Sequence, residues 1–167
     1  MPIYALGGFI QDVAPDYCEF VAIFTRSGFN TTSLIVSELK NKFLVLPENV
    51  NEEEINYGEI WRYKRDTLWE IKPSLSLWKY LYVFTNLGKS TRVETLNDIN
   101  VLINRSLDCA RLMNCKSIGY IVIRSNNHTD EECALRMIDS IRNWEQIFNY
   151  NINVYLIDRV NGFAPFV

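Results

Sequence analysis

The sequence predicts a three-layer α/β/α domain on a mixed, partly parallel sheet, on three observations. SIGYIVIR, SNNHTDEE, CALRMIDSIRNWEQIFNY and NINVYLIDR follow one another as strand, polar loop, helix and, after a short turn, strand. Residues 118–123 are apolar and largely β-branched with no polar alternation, as expected of a strand covered on both faces. Ala134, Met137, Ile138, Ile141, Trp144 and Phe148 recur at helical spacing and define one face to bury. A parallel crossover of this kind is right-handed by strong default.

The remaining elements follow in order. Residues 3–10 (IYALGGFI) read as a first strand, with Gly7-Gly8 marking a bulge or close backbone approach. DVAPD, 12–16, is turn chemistry. EFVAIFT, 19–25, is a second buried strand ending in Arg26-Ser27-Gly28. Thr31 or Thr32 caps a short helix with Leu34, Ile35 and Leu39 on its apolar face, and KFLVL, 42–46, is a strand closed by Pro47. Glu52-Glu53-Glu54 reads as a solvated loop or first helical turn, or as a docking patch for a cationic partner. EIWRYKR, 59–65, alternates as a half-exposed strand, and residues 81–84 form a buried one. A long helix runs from Thr91 to about Asn114 with Leu96, Ile99, Ile103, Ala110 and Met113 on one stripe. Thr91/Glu94 and Thr129/Glu132 both have capping-box spacing. The order β β α β β β α β α β, without repeat or linker, fits one domain spanning 1–167.

Composition narrows the function classes. Apolar residues make up 48% and charged residues 22%, ordinary for a globular chain. A net charge of −3 argues against sequence-blind nucleic-acid binding, which needs a dominant basic face. No apolar run approaches the ~18 residues of a membrane span, and MPIYALGGF lacks the basic start of a signal peptide. Cys18, Cys109, Cys115 and Cys133 form no CxxC pair, and His128 stands apart from them, so no metal site is expected. Four reduced cysteines without disulfides, in a cytoplasmic protein, is the expectation.

From Gly58 to Asp158 the chain resembles the macro domain, the ADP-ribose-binding fold. GEIWRYKR with KYLYVFTN resembles that family's paired strands, and TLNDINVLINRSLDCARLMNCKSIGYIVI its long helix and central strand. EECALRMIDSIRNWEQ with INVYLID resembles its closing helix and strand. The resemblance implies the fold and an ADP-ribose-like ligand. The usual ligand motifs are missing. Phe9 in GFIQ stands where the family has the Asp that meets adenine. IFTR, 23–26, replaces Asn-Ala-Ala-Asn, SGFNTTS follows in place of a Gly-rich loop, and RSNNHT, 124–129, holds no glycine. A Cβ in such a loop blocks close approach of backbone amides to a pyrophosphate.

In open α/β sheets, ligands bind beyond the carboxyl ends of the strands. Those ends supply the candidate ligand-binding residues Arg26, Ser27, Gly28, Thr85, Asn86, Arg124, Ser125, Asn126, Asn127, His128 and Arg159. Three of the ends carry Arg, whose planar fork suits phosphate or carboxylate, and adjoining helix N-termini assist. The alternative is scattered solvated arginines and capping serines. His128 is a general acid or base in one reading and an exposed or capping residue in the other. GKST, 88–91, opens a helix but lacks the earlier glycine of a phosphate loop, Val83 standing there, and reads as a cap.

Two functions follow. The first is a non-catalytic module recognising an ADP-ribose-like or other phosphorylated nucleotide-derived ligand. The second is a protein-interaction module of inhibitor or immunity type, its ligand cleft degenerate. Its contact face would be the acidic 48–54 stretch, Trp61, Trp69 and the apolar tail GFAPFV. No nucleophile, base and orienter converge, so no catalytic residue and no cofactor is expected.

Overall fold

A computed structural model describes residues 2–26, 60–64, 78–87 and 92–167, with backbone alone at 25–26, 60–64, 83 and 85–87. Among the described residues six strands, β1 (Ile3–Gly7), β2 (Phe20–Arg26), β3 (Ile60–Lys64), β4 (Tyr80–Leu87), β5 (Ser117–Tyr120) and β6 (Asn153–Asp158), form one sheet in the order β1-β6-β5-β2-β4-β3. All neighbours are parallel except the antiparallel edge pair β3 and β4. The mixed sheet and its helical layers are as the sequence predicts. The expected helix after Gly28, the strand at 42–46 and the 48–57 stretch lie outside the described residues.

Helices α2 (Leu96–Leu112) and α3 (Asp130–Phe148) pack together on one face of the sheet. Ile99, Ile103 and Leu107 of α2 meet Met137, Ile141 and Trp144 of α3 over Phe20, Phe84, Ile118, Tyr120, Val154 and Leu156. Polar groups trapped in this layer are paired: Ser106 with the Tyr120 hydroxyl, and Trp144 Nε1 donating to Asp108 Oδ1 at 2.9 Å.

The opposite face carries α1 (Ile10–Tyr17), which corrects the expectation of a strand to Ile10 followed by a turn. The strand ends at Gly7, and Gly8 turns the chain at φ +121°. Pro15 lies inside α1, where it removes a helical hydrogen bond; burial of Ile10, Ala14 and Pro15 outweighs that loss. Cys18, just after α1, packs over Gly119 of β5, where a Cβ would lie 2.8 Å from Cys18 Sγ.

Two further boundaries differ from expectation. The β5 ladder stops at Tyr120, and residues 121–123 continue without ladder pairing. The cap of α2 is Thr95 with Asp98, because Val93 is bridged to Ser125 and cannot begin a helix. The Thr129/Glu132 capping box of α3 is present. The four cysteines are free. In the tail Phe163 is buried, Phe166 packs against the core, and Val167 is exposed. Among the described residues no helix is long and apolar enough to cross a membrane.

Candidate functional site

The connections after β1 and β5 leave the sheet in opposite directions. Gly8-Phe9 leads to α1 on one face; Ile121–Thr129 leads to α3 on the other. Strand β6 lies between them, so a crevice opens over its carboxyl end, the position at which open α/β sheets hold ligands. A cleft of about 220 Å³ lies there, walled by Gly8, Phe9, Ile10 and Gln11 on one side and by Ile121, Val122 and Arg124 on the other. Ile157, Asp158 and Arg159 form its floor. The Gly8 N–H donates to Asp158 O at 3.1 Å, tying the first wall to the floor.

A second cleft of about 170 Å³ shares Val122, Arg124 and Asp158 with the first and extends between Asp130, Glu131 and Ala134 of α3 and Gly162, Phe163 and Phe166. Asp158 Oδ2 accepts from the Gly162 N–H at 2.9 Å, which shapes the turn after β6.

The arginines differ in their commitments. Arg159 is exposed and has no hydrogen-bond or ion-pair partner among the described residues. Arg124 is half-buried, and its Nε donates to Asp130 Oδ2 at 3.3 Å. Arg26 closes β2, level with Leu87 of β4 beyond a register shift, and so ends at the same edge of the sheet as the crevice. Thr85 and Asn86 lie in β4 toward that edge; Ser27 and Gly28 fall outside the described residues.

The loop after β5 spends many of its polar groups on itself, on Val93–Glu94 and on the first turn of α3. Ser125 is buried, and its Oγ accepts from Asn127 N–H at 3.2 Å. Asn126 N–H donates to Val93 O at 3.1 Å, and Asn127 Nδ2 to Glu94 O at 2.9 Å. Thr129 N–H donates to Glu132 Oε1, while His128 Nδ1 lies 3.3 Å from Glu132 Oε2. The Thr129 N–H first, then the His128 and Thr129 side chains, hold the Glu132 carboxyl below its usual range. Three amides of this loop are therefore unavailable to an anion, those of Asn126, Asn127 and Thr129.

The structure thus brings Arg124 and Arg159 to one cleft, gives Ser125, Asn127 and His128 partners within the loop or in the adjoining segments, and adds residues outside the sequence-based set. Phe9 and Gln11 join through α1, which the turn expectation concealed. Asp130 joins as the partner of Arg124; an acidic residue opening the helix after an Arg-ended strand was its only sequence signal. Gln11 Oε1 and Asn161 Oδ1 are buried without hydrogen-bond partners among the described residues. No group of three or more His, Cys, Asp or Glu that could hold a metal occurs among the described residues.

No protein-family model matches the sequence, and no curated protein matches it by sequence. Solved structures do match. The macrodomain of Mycobacterium tuberculosis DarG aligns with 93% of this chain and 97% of its own, at 14% identity and TM-score 0.63. A mutant of the Oceanobacillus iheyensis macrodomain aligns with 98% of this chain and 88% of its own, at 11% identity and TM-score 0.63. The Trypanosoma brucei macrodomain in complex with ADP-ribose aligns with 93% of this chain and 62% of its own, at 10% identity and TM-score 0.59. The fold is a macrodomain fold, in a chain whose sequence diverges widely from these structures.

Proposed function

We propose that this chain is a single-domain, non-catalytic module that binds an ADP-ribose-like, phosphorylated nucleotide-derived ligand in the crevice over β6. The observation that carries the reading is the pairing of Arg124 and Arg159 on one cleft at the carboxyl edge of a macrodomain-type sheet. The Trypanosoma brucei neighbour, solved with ADP-ribose, gives the ligand class. Drug-sized ligands fill roughly 300–1,000 Å³, so the ligand would extend across the two adjoining clefts, with anionic groups at the arginines. The reading is non-catalytic because the residues lining the clefts include no nucleophile paired to a base.

Thermal unfolding with ADP-ribose, ADP or NAD tests it. A ligand at a hundred times its Kd stabilises the native state by about 2.7 kcal/mol. ADP-ribose is expected to raise the melting temperature, and the double variant Arg124→Ala/Arg159→Ala to abolish the shift. No shift from any of the three compounds overturns the reading.

A second reading is a protein-interaction module with a degenerate cleft. The engaged amides of Asn126, Asn127 and Thr129 support it, since they remove three backbone donors from a diphosphate. The acidic 48–54 stretch would then belong to the contact surface, together with Ala164, Pro165 and Val167, which the tail leaves exposed.

A further inference from the structure

We propose that Asp130 is a positioning residue for Arg124, aiming the outer edge of its guanidinium at an anion in the crevice; this rests on the crevice being a ligand site, as above. The ion pair bridges two stretches of backbone that are each held by other means. On the Arg124 side, Val93 N–H donates to Arg124 O at 2.9 Å, and the Asn126 and Asn127 contacts to Val93 and Glu94 fix the residues that follow. On the Asp130 side, the residue is the first of α3, directly behind the Thr129 capping box.

Surface ion pairs usually contribute little because two long side chains must be ordered together. Here Asp is short and both backbones are fixed, so that ordering is largely done before the side chains meet. Contact is made through Nε at 3.3 Å. A guanidinium has five N–H donors in one rigid plane, so the four on Nη1 and Nη2 stay available while Nε–Oδ2 sets the orientation of that plane. With three loop amides already engaged, this edge is the cationic fork the loop offers to a phosphate, and a bidentate contact depends on its angle.

The opposing account makes Asp130 a competitor that keeps Arg124 from the ligand. It predicts the opposite sign, as does simple repulsion between a carboxylate and an anion. Binding of inorganic pyrophosphate to the full chain, followed by calorimetry and by the Arg124 Nε–H resonance, separates the accounts.

Arg124→Ala is expected to abolish pyrophosphate binding. Asp130→Ala is expected to weaken it about three- to tenfold and to move the Arg124 resonance before any ligand is added. Asp130→Asn, whose amide oxygen still accepts from Nε, is expected to recover most of the loss. Binding to Asp130→Ala as tight as wild type, or tighter, overturns the positioning role and leaves the crevice reading standing. Wild-type binding no tighter than that of Arg124→Ala removes both.

Discussion

At Gly119 the sheet and α1 meet so closely that no side chain fits. An added Cβ would lie 2.8 Å from Cys18 Sγ and 3.7 Å from Ile157 Cδ1. Overpacking of this kind costs about 1–3 kcal/mol, so Gly119→Ala should lower the urea midpoint without changing the slope; an unchanged midpoint would mean that Cys18 moves aside freely. The apolar run around Gly119 told correctly of a strand covered on both faces, yet it held no sign that one cover would be a helix turn ending at Cys18. Pro15 hid that helix, because proline within DVAPD is ordinary turn chemistry. The arginines were more legible. Arg159 follows β6 directly and Arg124 lies a few residues beyond β5, and a strand's direction fixes where the next residues emerge. The role of Asp130 was not, since it depends on how residues 125–129 fold back.

Elements here are set as much by their ends as by their stripes. Thr129 accepts from the Glu132 N–H at 3.1 Å, and Glu132 returns the contact to Thr129 N–H. Loss of a cap of this type costs about 1 kcal/mol, with a range of roughly 0.5–2. Thr129→Ala should therefore reduce stability by that amount in chemical denaturation, and Thr129→Ser should restore it; equal stability of all three would show the box to be idle. The spacing that identified this cap also suggested Thr91 with Glu94 for α2. The Thr95 box went unread because Asp98 closes it in place of the usual Glu or Gln. Tertiary pairing chose: Val93 and Glu94 engage Ser125–Asn127, and the helix waits for Thr95. Strand β5 ends earlier than expected for a related reason, since residues 121–123 are buried or half-buried and apolar but leave the ladder, Ile121 and Val122 forming crevice wall.

For the molecule as a whole, buried thiols link folding to alkaline pH. Burial pushes Cys18 up to about 12, and burial, with Glu19 adding to it, does the same for Cys115. Both start from an ordinary value near 9, so between pH 9 and 12 the native state holds protons that the unfolded chain has released. Stability is then fully present below pH 9 and falls as pH rises through that window. Urea unfolding from about pH 7.5 to about 10.5 should show this decline, less steeply in Cys18→Ala; a flat profile would contradict it. The alternation of strands and helices made the layered fold readable, whereas strand order was not, because pairing partners lie far apart in sequence. Strand β1 is the clearest case: its neighbour is β6, with Ile3 opposite Val154. Some 150 residues of intervening chain must be closed into a loop before that pair can form, and such distant contacts form slowly. During synthesis the opening strand therefore stays without its partner until β6 emerges, exposing an unpaired apolar segment that a chaperone would need to shield.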